Sequence, residues 1–438
     1  MKMMKKLIAL ALALLLCAAC AMAETAAAPE DVMITVNGDA ITRAEYDEYL
    51  DTLVNYYTSM GYDLTVPEND AAIREIAAMT LIQFKVMDQK IVELNVQLTD
   101  EEKADAAQIA REEWADVVDS GLSYYGITGE SSEDERAAIL VMVLAELESM
   151  GYTEAAYIEE SIQTAAYVKL EDYMAQSAEV TDDEVIAYYN ELVEADRIAY
   201  ANDAASYEYM EQMNQMYLMY GYTDYYVDLY YRPEGYRSVT HILLGADETA
   251  QTTYNDLVAL YEEQQSAIEE GQELTGTPVT AEEVDAARLA VLASVQPTID
   301  EINQKLAEGA TFAELIPVYT IDPGMATPEA IAEGYAVHMD SINWVTEFRD
   351  AAFTVENIGD IAEPVVTPYG VHLVCYAGDI PGGPVELTAD TMELMRLNLL
   401  EAEKSSLVNE TLAQWVAEAE VVVVSAELAD YVILPTAE

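Results

Sequence analysis

Along most of this chain the apolar positions recur with a helical period, and strand-like alternation is confined to a few short stretches. Met33-Ile-Thr-Val-Asn-Gly38 reads as a short strand entering a turn, and Thr42-x-x-Glu45 is a capping box that opens a helix to about Met60. Apolar residues at Ile73, Ile76, Met79, Ile82, Phe84, Met87 and Ile91 predict a helix over 69–95. Thr99-x-x-Glu102 caps another, Glu154 to about Ser177 forms a further one, and Thr181-x-x-Glu184 opens one ending near Asp196. The N-terminal half is therefore mostly α. From Tyr236 the pattern becomes mixed. Arg237-Ser-Val-Thr-His-Ile-Leu-Leu244 alternates as a strand, and 246–308 is helical with a capping box at Thr280-x-x-Glu283. Thr311-x-x-Glu314 starts a short helix and Asn343–Phe353 another. Pro364–Tyr376 contains a terminal strand, and Leu387–Ala419 is a closing helix followed by β-branched Val421–Val424. No fixed-period repeat is present.

One stretch has its own character. Residues 200–236 hold eleven tyrosines, and Met210, Met213, Met216 and Met219 recur every third residue. Two readings stand side by side: a helical core stripe, or a soft, adaptable apolar surface for varied peptides.

The chain has 438 residues, more than one hydrophobic core usually organises, so two or three domains are expected. Its 82 Asp and Glu against 19 Lys and Arg give a net charge of −63, which repels phosphate backbones and excludes nucleic acid as a partner class. The same surface keeps a protein soluble without implying a cationic partner. Residues 1–23 read as an export signal. Lys2, Lys5 and Lys6 precede an apolar run from Leu7 to Leu16, and Ala21-Met22-Ala23 fits a cleavage site before Glu24. Leu16-Cys17-Ala18-Ala19-Cys20 also resembles a lipobox, which would make Cys20 a lipid-bearing N-terminus and the means of membrane association. Cleavage after Ala23 would leave Cys375 alone, with no intrachain disulfide. Either route places the protein outside the cytoplasmic membrane.

Candidate chemistry is sparse. The three histidines are His241, His338 and His372; a buried imidazole satisfied by its neighbours is the ordinary role for each. No Gly-x-Ser-x-Gly, Walker A or His-Glu-x-x-His run occurs, and so few histidines and cysteines do not readily make a zinc site. With 82 acids, pairs of carboxylates carry no information.

Five segments in order change this picture. They are His241-Ile-Leu-Leu244; Lys305-Leu-Ala-Glu-Gly-Ala-Thr-Phe-Ala-Glu-Leu315; Tyr319-Thr-Ile-Asp322; Phe348-Arg-Asp-Ala-Ala-Phe353; and Glu363-Pro-Val-Val-Thr-Pro-Tyr-Gly-Val-His372. Together they resemble the parvulin (PpiC) peptidyl-prolyl isomerases. With Thr35-Val-Asn-Gly-Asp-Ala-Ile-Thr42 near the start and the closing helix, the layout is similar to the PrsA/SurA extracytoplasmic foldases. The resemblance implies an α+β fold. A helical chaperone module formed by residues 30–235 and the 385–438 helix would be interrupted by a parvulin domain at 236–380, with a small antiparallel sheet and a helical insertion near 246–298. By the same resemblance His241 and His372 are the paired core histidines, and Asp322 and Tyr369 complete the catalytic set. Phe348 and Trp344, the latter at a position usually given to Met, bind the proline. The family's Gly-Asp-Leu-Gly segment is absent; Glu333-Gly-Tyr-Ala-Val-His-Met-Asp340 stands in its region. The implied activity is cis–trans isomerisation of prolyl bonds in unfolded or partly folded exported polypeptides, without metal or cofactor. The alternative is a non-catalytic holding protein that keeps only the parvulin scaffold.

Overall fold

The computed structural model describes residues 31–272 and 277–435; the export segment and Cys20 lie outside the described residues. In chain order the elements begin with β1 (Val32–Val36), β2 (Asp39–Thr42), α1 (Arg43–Ser59), α2 (Pro67–Glu93), α3 (Asp100–Tyr124), α4 (Glu133–Ser149) and α5 (Glu154–Met174). There follow α6 (Asp182–Tyr200), α7 (Ala204–Met219), β3 (Tyr231–Arg232), β4 (Arg237–Leu244), α8 (Glu248–Glu269), α9 (Ala281–Ala307), α10 (Phe312–Tyr319) and α11 (Pro328–Glu333). The chain ends with β5 (Tyr335–Val337), α12 (Thr346–Ala351), β6 (Val365–Thr367), β7 (Gly370–Asp379), β8 (Gly383–Pro384), α13 (Ala389–Glu418) and β9 (Val421–Val423). The fold is mostly helical, with small antiparallel sheets. Among the described residues no helix is long and apolar enough to cross a membrane.

Two compact units divide the chain, one ending at Asp182 and resuming at Glu393, the other spanning Asp183–Met392. In the first, β1 and β2 form a hairpin whose turn residues Asn37 and Gly38 both have positive φ (50° and 94°), the backbone a two-residue hairpin needs. β9 adds antiparallel to β1, giving the order β2-β1-β9. Asn37 fastens this return, its Oδ1 accepting the Glu420 N–H at 2.8 Å. The sheet buries Met33, Ile34, Val36 and Ile41 against Tyr49 and Leu53 of α1, Leu81 and Ile82 of α2, and Val416 of α13. The expected capping boxes at Thr42 and Thr99 are both formed. A helix that the periodicity did not mark, α4, is opened by a third such box, Ser132 with Glu135.

The second unit is built on a four-stranded antiparallel sheet of order β5-β4-β7-β6. Residues 183–235, expected with the N-terminal half, belong to this unit instead. The reason is tertiary: β3 pairs with β8, and Tyr207 of α7 packs on Tyr236 just before β4. The segment expected as an insertion supplies α8 and most of α9, which cover one face of the sheet. In the Tyr/Met stretch the buried positions of α7 are Ala204, Tyr207, Glu208 and Asn214, whereas Met216 and Met219 are exposed. A three-residue spacing drifts around a helix with 3.6 residues per turn, so these methionines make no single core stripe.

Candidate active site

Strand register explains how residues 131 positions apart meet. In the β4–β7 pair His241 lies opposite Val374 and Leu243 opposite His372. Alternation sends Ile242, Leu244, Val371 and Leu373 to one face, where Val291, Val295 and Ile299 of α9 cover them. Val239, His241, His372 and Val374 go to the other. Diagonal neighbours on that face are close enough to touch. His241 and His372 stack with ring centroids 5.0 Å apart and an interplanar angle of 16°, Nδ1 to Nδ1 at 3.0 Å.

Asp322 reaches the pair from the turn after α10. That turn is pinned to β4, since Thr320 Oγ1 accepts the N–H groups of Leu243 and Asp322, each at 3.2 Å, and Ile321 N–H donates to Leu243 O at 2.9 Å. The two carboxylate oxygens of Asp322 have different tasks. Oδ1 accepts the Gly324 N–H at 2.9 Å and so closes a turn at Asp322-Pro-Gly, while Oδ2 meets His241 Nε2 and the Tyr335 hydroxyl, each at 2.7 Å. Gly324 has to lack a side chain, because a Cβ there would overlap the Tyr335 hydroxyl. Gly334, with φ +71°, must do so as well, because its Cβ would strike Ser238 Oγ and lie 2.9 Å from Val239 O.

The hydrogen bonds can run in one direction only. A carboxylate accepts, so His241 donates from Nε2 and presents a lone pair at Nδ1. His372 then donates from Nδ1 and accepts at Nε2, where the Thr367 hydroxyl lies at 2.9 Å. Thr367 Oγ1 in turn accepts the Tyr369 N–H at 3.2 Å. Every site is filled with both imidazoles neutral. Burial pushes the pKa of both histidines down, against the opposing pull of Asp322, so neutrality is also the electrostatic preference. Burial would raise Asp322, but hydrogen bonds from Tyr335, Gly324 N–H and His241 outweigh it and hold the carboxyl below its ordinary value. Burial and the neighbouring Asp322 push the Tyr335 phenol up, which keeps it a donor.

Aromatic rings close the site. Phe348 of α12 is buried and sets its edge against both imidazoles, with centroids 5.1 and 5.2 Å away. Trp344 tilts on Phe348 at 5.4 Å, stacks on Tyr335 at 4.7 Å and donates its indole N–H to Ala336 O at 2.9 Å. Between them lies a cleft of about 390 Å³, also lined by Leu243, Ile321, Pro323 and Asn343.

Of the residues expected from sequence, His241, Asp322, His372, Trp344 and Phe348 all line this cleft. Tyr369 lines it too, but at the rim: the residue is 67% exposed, and its backbone N–H rather than its phenol joins the network. His338 lies outside the network, donating from Nε2 to Glu234 O and accepting at Nδ1 from Asp340 N–H. Thr367, Thr320 and Tyr335 were not anticipated. Thr367 lies inside the last of the five segments, and Tyr335 inside the very stretch that departs from the parvulin pattern. A tyrosine of that stretch is thus bound to Asp322.

Residues 278–377 match the family described as the PPIC-type PPIase domain, and residues 2–117 match the SurA-like N-terminal domain. The chain therefore joins a SurA-like N-terminal domain to a PPIC-type PPIase domain. The PPIase match begins after His241, with α8 lying between β4 and the matched segment. Among similar proteins, the foldase protein PrsA of Geobacillus sp. (strain WCH70) is 36% identical over 84 residues, 19% of this chain and 29% of that protein. PrsA of Oceanobacillus iheyensis is 27% identical over 129 residues, 30% of this chain and 36% of that protein. The chain thus spans about a third of the length of the curated relatives it matches. The crystal structure of Bacillus subtilis PrsA overlaps 92% of this chain and 98% of its own at 15% identity and a TM-score of 0.22. A SurA-like chaperone structure from Campylobacter jejuni overlaps 90% and 99% at 10% identity and a TM-score of 0.29.

Proposed function

We propose that the cleft accelerates cis–trans isomerisation of X–Pro bonds in exported polypeptides, and that the protein acts on unfolded or partly folded chains outside the cytoplasmic membrane. The observation that carries this reading is the one-way hydrogen-bond chain from Thr367 through two neutral imidazoles to the Asp322 carboxylate, at the floor of an aromatic cleft. Rotation of a prolyl amide crosses a barrier of about 18–20 kcal/mol that comes from resonance and needs no broken bond. A site that seats the ring and excludes water favours the twisted, less polar transition state over the planar amide. Phe348, Trp344 and Tyr335 would hold the proline ring. Asp322, kept charged, would lie near the substrate carbonyl and disfavour its resonance charge separation. The histidines and Thr367 would fix the direction of that carboxylate, and Tyr369 would flank the substrate chain at the rim.

The experiment is NMR exchange spectroscopy on a proline-containing peptide with a substoichiometric amount of mature protein. Accelerated exchange that is lost in Asp322→Ala supports the proposal. Suppressed aggregation of an unfolded client with no change in exchange would place the protein among non-catalytic holding chaperones. Export is tested separately by mass spectrometry of the mature N-terminus: Glu24 marks cleavage after Ala23, and a diacylated Cys20 marks a lipid anchor. A mature chain still carrying residues 1–20 would contradict both.

A further inference from the structure

Glu208, on α7, is 1% exposed, and hydrogen bonds meet both of its carboxyl oxygens. Oε1 accepts the Tyr236 hydroxyl at 3.1 Å. Oε2 accepts Ser341 Oγ at 2.8 Å, Ile342 N–H at 2.8 Å and Asn343 N–H at 3.3 Å. Three of these four donors belong to consecutive residues of one loop, the one between β5 and α12, and the next residue along it is Trp344. One turn further on α7, the Gln212 side-chain amide donates to Asn343 Oδ1. Asn343 and Trp344 both line the cleft.

A carboxyl group is costly to bury, and an apolar side chain of similar size would fill the same space without that cost. What the carboxyl supplies is a single oxygen on which a hydroxyl and two backbone N–H groups converge. That fixes the backbone of a loop with no helix or strand of its own from Ser341 to Val345. Trp344 is anchored from the other side by its bond to Ala336 O, so its ring is set by the loop's position relative to β5. We infer that Glu208 is a positioning residue for the cleft, holding the Ser341–Trp344 wall in place so that Trp344 faces Phe348. It makes α7, which lies outside the matched PPIase segment, a working part of the site. The kinetic part of this inference rests on the isomerase reading; the spectroscopic part does not.

The test uses the full mature chain labelled with fluorotryptophan. The three tryptophans are Trp114, Trp344 and Trp415, and the Trp344 resonance is assigned by its loss in Trp344→Phe. Glu208→Met removes the acceptors and keeps the bulk. Glu208→Gln keeps one amide oxygen for the loop and turns its amide toward a Tyr236 hydroxyl that can rotate to accept. Glu208→Met is expected to shift or broaden the Trp344 resonance alone and to lower kcat/KM about tenfold, the scale of one lost orienting contact, with Glu208→Gln restoring both. If Glu208→Met does not fold, the Gln212→Ala, Ser341→Ala double variant reads the same resonance. A folded variant with the Trp344 line unmoved overturns the inference, as does an equal shift of all three lines that Gln fails to rescue. Should wild type show no isomerase activity, the fluorine spectrum still decides the positioning role.

Discussion

The two faces of the β5-β4-β7-β6 sheet are made by alternate residues of the same strands, yet they do different work. On the face beneath α9, Ile242, Leu244, Val371 and Leu373 join an apolar cluster, so this side resembles the core of the first unit, where Met33, Ile34 and Ile41 do the same. On the other face the central positions are His241 and His372, as deeply buried but joined through Asp322 and Thr367 into a hydrogen-bonded line. An apolar face contributes stability in proportion to area and tolerates volume-conserving apolar swaps. A polar line requires every member, because one deletion leaves a buried partner unsatisfied. Identical burial thus has two meanings within one sheet.

The largest effects should separate the faces outright. Ile242→Ala, on the apolar face, is expected to lose about 2–5 kcal/mol of stability while the folded fraction keeps its kcat/KM. Phe348→Ala, against the imidazoles, should lose about 3–5 kcal/mol and its isomerase activity together. Urea unfolding with parallel peptide kinetics checks both. Full activity in folded Phe348→Ala would remove the ring from the proposed proline seat.

Asp322→Asn sharpens the distinction between charge and network. An Asn amide can donate to His241 Nε2, after which both imidazoles adopt the other tautomer and Thr367 accepts from His372. Every bond along the line is then kept in reverse, so stability should change by no more than about 1 kcal/mol. Activity should nevertheless fall by about tenfold or more, because a carboxylate charge beside the carbonyl has been replaced by a neutral amide. Activity at the wild-type level would show that the charge is idle.

The smallest effect is the absence of a transition. With the pKa of both histidines lowered by burial, the imidazole resonances of His241 and His372 should remain those of neutral rings as pH falls through about 6.5, and isomerase activity should stay flat there. The stability sign follows. Below about 6.5 unfolded histidines bind protons that the folded ones refuse, so their contribution to stability declines on acidification. Asp322, also depressed in the folded state, adds a loss of the same sign only as pH falls below about 3.9. Comparing wild type with a His241→Gln, His372→Gln double variant isolates these groups from the many surface acids.

The helices with capping boxes, strands β4 and β7, and the group of His241, His372, Asp322 and Phe348 were legible because period, caps and ordered segments each left a local mark. Other features left none. Strand β5 is three residues long, too short to show a period, and it carries Tyr335. Helix α4 has the run Ile139-Leu-Val-Met-Val-Leu144 with Val143 its one buried residue, so no polar face opposes an apolar one. Glu208 is one acid among 82, and nothing in its local sequence sets it apart. The division at Asp182 depends on tertiary pairing, β3 with β8 and Tyr207 with Tyr236, which sequence spacing does not encode.

The central claim, that the polar face is a prolyl isomerase site, is tested most directly by one measurement. The cis–trans exchange rate of a single proline peptide is followed by NMR with wild type, Ile242→Ala and Asp322→Ala at equal concentrations of folded protein. The account predicts acceleration by the first two and none by the third. Equal acceleration by all three, or by none, would contradict it.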